Sequence, residues 1–139
     1  MASIILKGRE YPLLYTTLEM KTIQERIATP LAKAVRLCTG RNPEDEEDTE
    51  WFGSDRHLDA LSKLIVIMAE AAAEEAGENC DLTERKVLRA MRPTEIGDAI
   101  NACMEAFADG MRSEIEPKEE KGPVDVTLEE MNKKKEKAN

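Results

Sequence analysis

Residues 55–76, DRHLDALSKLIVIMAEAAAEEA, carry the longest amphipathic pattern of the chain and decide the fold. Apolar residues recur at the three- and four-residue intervals of an α-helix, and a second apolar row lies beside the first. Polar residues occupy the opposite face, where Val66 is the exception. So wide an apolar face predicts a central helix that contacts several neighbours, capped by Ser54 or Asp55 and ended by Gly77. The apolar rows consist of Leu58, Leu61, Ile65, Met68 and Ala72, flanked by Leu64, Ile67 and Ala71.

Two further helices are predicted downstream of this segment. Asp81 and Glu84 have the spacing of a capping box and precede a short helix through Val87, Leu88 and Met91. The next segment begins near Pro93 and stops before Pro117, as helices bounded by proline do. Its apolar face consists of Ile96, Ile100, Cys103, Phe107 and Met111, and its polar face of Asp98, Asn101, Glu105, Asp109 and Arg112.

Two helices are also predicted upstream. Thr16 and Glu19 form a capping box at the start of the first, and Thr29-Pro30 provides the N-cap and first position of the second. Gly40 is a natural terminator of the second helix. The apolar positions are Met20, Ile23 and Ile27 in the first helix, and Leu31, Ala34, Val35 and Cys38 in the second.

The N-terminal segment SIILKGREYPLLYT, residues 3–16, predicts a β-hairpin. Residues 4–6 and 11–14 are apolar runs, and Gly8 between them can adopt the positive φ that a tight turn requires. Pro12 lacks an N–H group, so the second strand is expected at an edge or with a bulge. An exposed edge strand is a template for pairing, which makes docking between subunits one expectation for this hairpin.

The loop RNPEDEEDTE, residues 41–50, contains like charges that repel one another. It leads into Trp51 and Phe52, the only adjacent aromatic pair. Two interpretations stay open: the rings fix the loop onto the core, or they form an exposed anchor for a partner protein. Binding of Ca²⁺ by the carboxylates is disfavoured, because it requires alternating ligands around a sharp glycine turn.

The composition describes one domain with a charged tail. The 139 residues are 41% hydrophobic but only 4% aromatic, which favours a helical core of Leu, Ile, Met and Ala. After residue 116 few apolar residues remain. We therefore predict a mainly α fold: residues 1–116 form a short N-terminal β-hairpin followed by a bundle of about five helices, and residues 117–139 form a flexible, disordered charged tail.

The charge excludes some partners. The chain has 20 basic and 29 acidic residues and a net charge of −9, which repels nucleic acid and anionic membranes. The most apolar run, residues 64–69, is far shorter than a membrane-spanning helix. A soluble intracellular protein with a protein partner is expected, and neither a nucleic-acid nor a membrane partner.

No catalytic, metal or cofactor site is predicted. His57 is the one histidine, and its place in the first turn of a helix favours a surface or capping role over a general base. Cys38, Cys80 and Cys103 are odd in number and lie on or beside apolar helical stretches, so we expect buried free thiols and not a zinc site. The chain is therefore predicted not to be an enzyme.

The order of these features resembles that of a known family. IILKGREYPLLYT, residues 4–16, passes directly into the capped helix TTLEMKTIQERI, residues 16–27, and LTERKVLRAMRPTEIGDAINACMEAF follows at 82–107. Over about residues 2–115 this resembles the tail assembly chaperones of long-tailed (siphovirus-like) bacteriophages and prophages. The chain departs from the usual form at Lys7, where Asn is common, at Pro12, and in its long acidic loop.

The resemblance implies a function and its partners. Such a protein binds the long, helical tape measure protein and keeps it soluble in the host cytoplasm while the tail tube forms, and it is not retained in the mature virion. A longer product made by ribosomal frameshifting near the end of the reading frame is implied to recruit tail tube protein. The contact residues for the client remain unknown from sequence, and self-association is expected because several copies would line a long client.

The tail sequence MNKKKEKAN allows two interpretations. Lysine codons are rich in A, so Lys133, Lys134 and Lys135 mark a possible frameshift junction; a solvated lysine cluster is the alternative. Seven methionines suit either an adaptable binding surface or core filling. The alternative to the chaperone is a small acidic helical adaptor or regulatory protein whose partner is unknown.

Overall fold

The computed structural model describes residues 2–45, 47–48 and 50–112. The predicted boundary between residues 116 and 117, the charged tail and the lysines at 133–135 lie outside these residues. In chain order the elements are β1 (Ser3–Leu6), β2 (Arg9–Pro12), α1 (Thr17–Arg26), α2 (Leu31–Cys38), α3 (Asp55–Glu75), α4 (Glu84–Ala90), a 3₁₀ turn (Pro93–Glu95) and α5 (Ile96–Met111). The predicted fold class, a hairpin followed by five helices, is confirmed.

The hairpin forms at the turn that the sequence predicts. Both central residues have positive φ, 51° at Lys7 and 77° at Gly8, which is the requirement of a tight primed turn. Strands β1 and β2 are antiparallel, and Ile4 pairs with Tyr11 without a bulge. Ile4 is buried while Ile5 is 67% exposed, so the sheet has one face on the core and one face outward.

The two predicted glycine stops and the first capping box are confirmed. The Glu19 carboxylate accepts from the Thr16 N–H at 2.9 Å, and the Thr16 hydroxyl accepts from the Leu18 N–H at 3.3 Å. Gly40 and Gly77 follow α2 and α3 with φ of 87° and 74°. In each case the N–H of the residue after the glycine donates to a carbonyl in the last turn of the helix, as is usual for helices that end at a glycine.

Two predicted helix starts are wrong by one or two residues. Pro30 is the N-cap of α2 and not its first residue, while the Thr29 hydroxyl donates to the Gln24 carbonyl. Helix α4 is capped by Thr83 and not by Asp81, because the Thr83 hydroxyl accepts from the Lys86 N–H at 3.1 Å. The nearer hydroxyl reaches the free N–H groups of the first turn, as an N-cap must.

Helix α3 is the centre of the molecule. It contacts α1, α2, α4, α5 and β2. Six consecutive residues, Leu64 to Ala69, are buried, so this part of the helix is covered on every side. Val66, the apolar exception on the otherwise polar face, is only 3% exposed, because neighbouring elements cover the helix at this position as well. No helix in the described part of the chain is long and apolar enough to span a bilayer.

The end of α5 packs against the base of the hairpin. The Asp109 carboxylate accepts from the Ala2 N–H at 3.1 Å, so this residue of the predicted polar face holds the chain start. The rings of Tyr15 and Phe107 meet edge to face with centroids 4.5 Å apart. Gly110 lies so close to Tyr15 that a Cβ there would fall 2.2 Å from the Tyr15 carbonyl oxygen. A side chain at position 110 would therefore separate α5 from the hairpin.

Gly110→Ala tests this contact. Alanine favours a helix by about 1 kcal/mol over glycine, but its Cβ would collide with backbone that cannot rotate away. We expect a net loss of about 1–3 kcal/mol in the free energy of unfolding, measured by urea denaturation.

Gly97→Ala is the matched control on the same helix. Nothing lies within 4 Å of a Cβ at position 97, so this variant is expected to be neutral or slightly stabilised. Equal stability of the two variants would contradict the close packing of α5 on the hairpin.

Candidate docking surface

His57 is buried, contrary to the predicted surface or capping role. The cap of α3 is Ser54, whose hydroxyl accepts from the His57 N–H at 3.3 Å. The His57 side chain is completely inaccessible to solvent, and it connects the loop to α2. Nδ1 accepts from the Gly53 N–H at 2.9 Å, and Nε2 lies 3.0 Å from the Cys38 carbonyl oxygen. Because Nδ1 is an acceptor, the ring is neutral and Nε2 donates to Cys38.

The space around the imidazole is filled from two directions. The Phe52 ring lies against it, with centroids 5.0 Å apart and planes inclined at 49°. On the side of α2, a Cβ at Gly40 would fall 2.6 Å from Phe52 Cδ2 and 3.0 Å from His57 Cε1. Gly40 thus serves both as the terminator of α2 and as the place where the loop packs most closely.

The two rings of the aromatic pair lie in different environments, and the interpretation that they anchor a partner protein stays a prediction. Trp51 is partly buried and packs against the core, with the Arg56 guanidinium 5.2 Å from the ring centroid. Phe52 is 52% exposed although one part of its ring contacts His57. The loop is therefore fixed by Trp51 and His57, and it presents Phe52 to solvent.

A shallow cleft lies beside the start of α3, with a volume of about 230 Å³. Its apolar part comes from Ile27, Leu37 and Ala60, and charged side chains surround it. Arg56 lines the cleft and also stacks on Trp51, so the cleft and the aromatic pair are adjacent. We call Trp51, Phe52 and this cleft the Phe52 surface. The charged lining residues are Asp55, Arg56, Asp59 and Lys63.

The acidic loop is ordered by its own side chains where it is described. The Asn42 amide donates to Asp48 at 3.0 Å, and the Glu50 N–H donates to the other Asp48 oxygen at 2.9 Å. These two hydrogen bonds lower the pKa of Asp48. Among the described residues, no three Asp, Glu, His or Cys side chains come together as a metal site.

The other exposed large apolar side chains are spread over several elements. Single apolar residues on a surface are ordinary, and these lie on four different elements. They are Ile5 on β1, Leu18 on α1, Leu88 on α4 and Met111 on α5. The methionines mostly fill the core: Met68 is inaccessible, Met20, Met91 and Met104 are partly buried, and Met111 alone of these is exposed.

The thiols follow the prediction at two of three positions. Cys38 and Cys103 are buried, and burial raises the pKa of Cys38 to about 12 and raises the pKa of Cys103 as well. Such thiols are poor nucleophiles. Cys80 is only partly buried, because it lies in the connection before α4 and not on a helix. That the protein is not an enzyme and holds no cofactor stays a prediction.

The sequence did contain a signal for the burial of His57. The residue precedes Leu61, Leu64 and Met68 by four, seven and eleven positions, so it continues the same helical stripe. The spacing does not predict the hydrogen-bond partners of the ring, which are the Gly53 N–H in the loop and the Cys38 carbonyl of α2.

Comparison of the chain with models of protein families, with curated proteins and with solved structures gave no match.

The packing at Gly40 gives a prediction. Gly40→Ala places a side chain on a residue of positive φ, and its Cβ also collides with the Phe52 and His57 side chains. Gly77→Ala introduces the same backbone strain, but nothing lies within 4 Å of its Cβ. We expect Gly40→Ala to lose about 1–3 kcal/mol more free energy of unfolding than Gly77→Ala, measured by urea denaturation. Equal losses would show that the loop does not pack as described.

Proposed function

We propose that this protein is a bacteriophage tail assembly chaperone that binds the tape measure protein and keeps it soluble. The observation that supports it most is the passage of IILKGREYPLLYT into the capped helix at TTLE. These residues carry the resemblance, and they form one continuous unit of hairpin, capping box and helix. The mainly helical domain behind them agrees with the same family.

The surface has the two properties that such a function needs. A net charge of −9 on each chain keeps the complex soluble by repulsion between separate complexes. Phe52 offers an exposed aromatic anchor whose backbone is fixed through His57, and Trp51 next to it contacts Arg56 of the charged cleft. A fixed aromatic side chain loses little entropy on binding. We therefore place the client contact at the Phe52 surface.

The proposal extends to the rest of the assembly reaction. A longer frameshifted product, with its junction at Lys133 to Lys135, would carry a domain for tail tube protein. Several copies would line one client, with the exposed outer face of the hairpin available for contact between them. The chaperone would act in the host cytoplasm and be absent from the finished virion.

Co-expression with the neighbouring tape measure gene tests the proposal. We expect the native chain to raise the soluble yield of an affinity-tagged tape measure protein and to co-purify with it. With the native downstream DNA present, mass spectrometry should detect a minor longer product with a junction near Lys133 to Lys135. Failure of the native chain both to co-purify and to raise the soluble yield would contradict the function and favour a helical adaptor with another partner.

Phe52→Ser tests where the client binds. We expect at least a tenfold loss of co-purified chain, because the aromatic anchor is removed. Leu18→Ser is the matched control, a similarly exposed apolar residue on α1, and should co-purify normally. Thermal unfolding of both variants checks that the domain remains folded. Normal co-purification of Phe52→Ser would place the contact elsewhere without contradicting the function.

A further inference from the structure

The imidazole of His57 holds the loop only in its neutral form. Nδ1 accepts the Gly53 N–H and Nε2 donates to the Cys38 carbonyl, so both ring nitrogens are used. A proton added to Nδ1 would turn that acceptor into a donor facing another donor. The bond to Gly53 would then be lost, while the bond to Cys38 would remain.

We propose that His57 is a proton-sensitive latch, whose protonation releases the segment Trp51–Gly53 from α2 and α3. The latch has a defined site, since Gly40 and the Phe52 ring both lie against the imidazole. It is independent of the proposed function, because it follows from the geometry of His57 alone. If the Phe52 surface binds a partner, the latch makes that binding depend on pH.

Among the described residues of α2 and the loop, no neighbouring charge favours a protonated ring. On α2 the titratable group next to the ring is the Cys38 thiol, which is neutral and donates to the Ala60 carbonyl. In the loop, Asp48 is held by Asn42 and by the Glu50 N–H.

The charged side chains at the start of α3 contact groups other than the imidazole or line the cleft. Arg56 stacks on Trp51, and Asp59 pairs with Lys63 at 3.0 Å. Asp55 lines the cleft. None of the ion pairs among the described residues includes His57. A proton on the imidazole would thus be a buried charge without a counter-ion, which is costly.

The direction of the pH effect follows from this environment. Burial lowers the pKa of His57 below 6.5, and it outweighs the opposing effect of the Cys38 carbonyl. Once the segment opens, the ring meets water and its pKa returns toward about 6.5. The closed form is therefore fully favoured above pH 6.5. It loses stability as the pH falls from 6.5 toward the lower pKa of the closed form. Within this range, the binding of one proton changes the ratio of open to closed molecules by up to about tenfold per pH unit.

The chain carries its own probes, since Trp51 is the one tryptophan and His57 the one histidine. NMR of the imidazole nitrogens between pH 8 and 4.5 would give the tautomer and the pKa of His57. Acrylamide quenching of Trp51 fluorescence over the same range would report release of the segment, and far-UV circular dichroism would report the helices. We expect the Nε2–H tautomer at neutral pH, a pKa below 6.5, and quenching that rises as His57 protonates while helicity is unchanged.

His57→Gln removes the proton acceptor, and Asp48→Asn removes the loop carboxylate that bonds Asn42. We expect the quenching of His57→Gln to be independent of pH over this range, and that of Asp48→Asn to keep the native midpoint. The latch is overturned if His57 titrates at or above 6.5, if Trp51 quenching does not follow His57, or if helicity is lost together with it. It is equally overturned if the pH response survives in His57→Gln. The titration of the native chain decides the question even if that variant does not fold.

Discussion

The burial of the middle of α3 on all sides is the constraint on which the rest of the structure depends. Six consecutive buried residues, Leu64 to Ala69, point to all sides of the helix, so a single neighbouring element cannot cover them. The other helices and β2 each cover part of it, and the Leu14 N–H donates to the Met68 carbonyl in the middle of α3 at 3.1 Å. Each fully buried Leu, Ile or Met side chain contributes about 1.5–3 kcal/mol, so α3 accounts for much of the apolar free energy of folding.

The position of the Phe52 surface follows from this arrangement. Helix α2 ends at Cys38 and α3 begins at Asp55, and both pack together, so the loop between them must return to the place where it started. His57 closes that return by bonding the Cys38 carbonyl and the Gly53 N–H. An apolar residue at position 57 would fill the space but leave both backbone groups unpaired, which explains why a histidine occupies the core here.

Much of the fold could be predicted because its signals are local. The positive-φ turn at Gly8, the capping box at Thr16 and the glycine stops depend on residues a few positions apart. The features that were not predicted depend on contacts between distant parts of the chain. Val66 is buried because several elements converge on α3. The spacing of His57 to Leu61 and Leu64 indicates a buried position, but it does not indicate the Gly53 N–H and the Cys38 carbonyl that the ring bonds. The candidate docking surface was therefore predictable only as an aromatic pair with two possible roles; the structure packs Trp51 against the core and leaves Phe52 exposed.

Native-state hydrogen exchange, resolved by residue, tests the central claim that α3 organises the domain. If every other element packs onto α3, the amides of residues 64–69 become exposed only when the whole domain unfolds. We expect these amides to exchange slowest, with a free energy of opening equal to the global free energy of unfolding, and those of the loop to exchange fastest. Exchange of residues 64–69 through a local opening, faster than the amides of α1 or α5, would contradict the account.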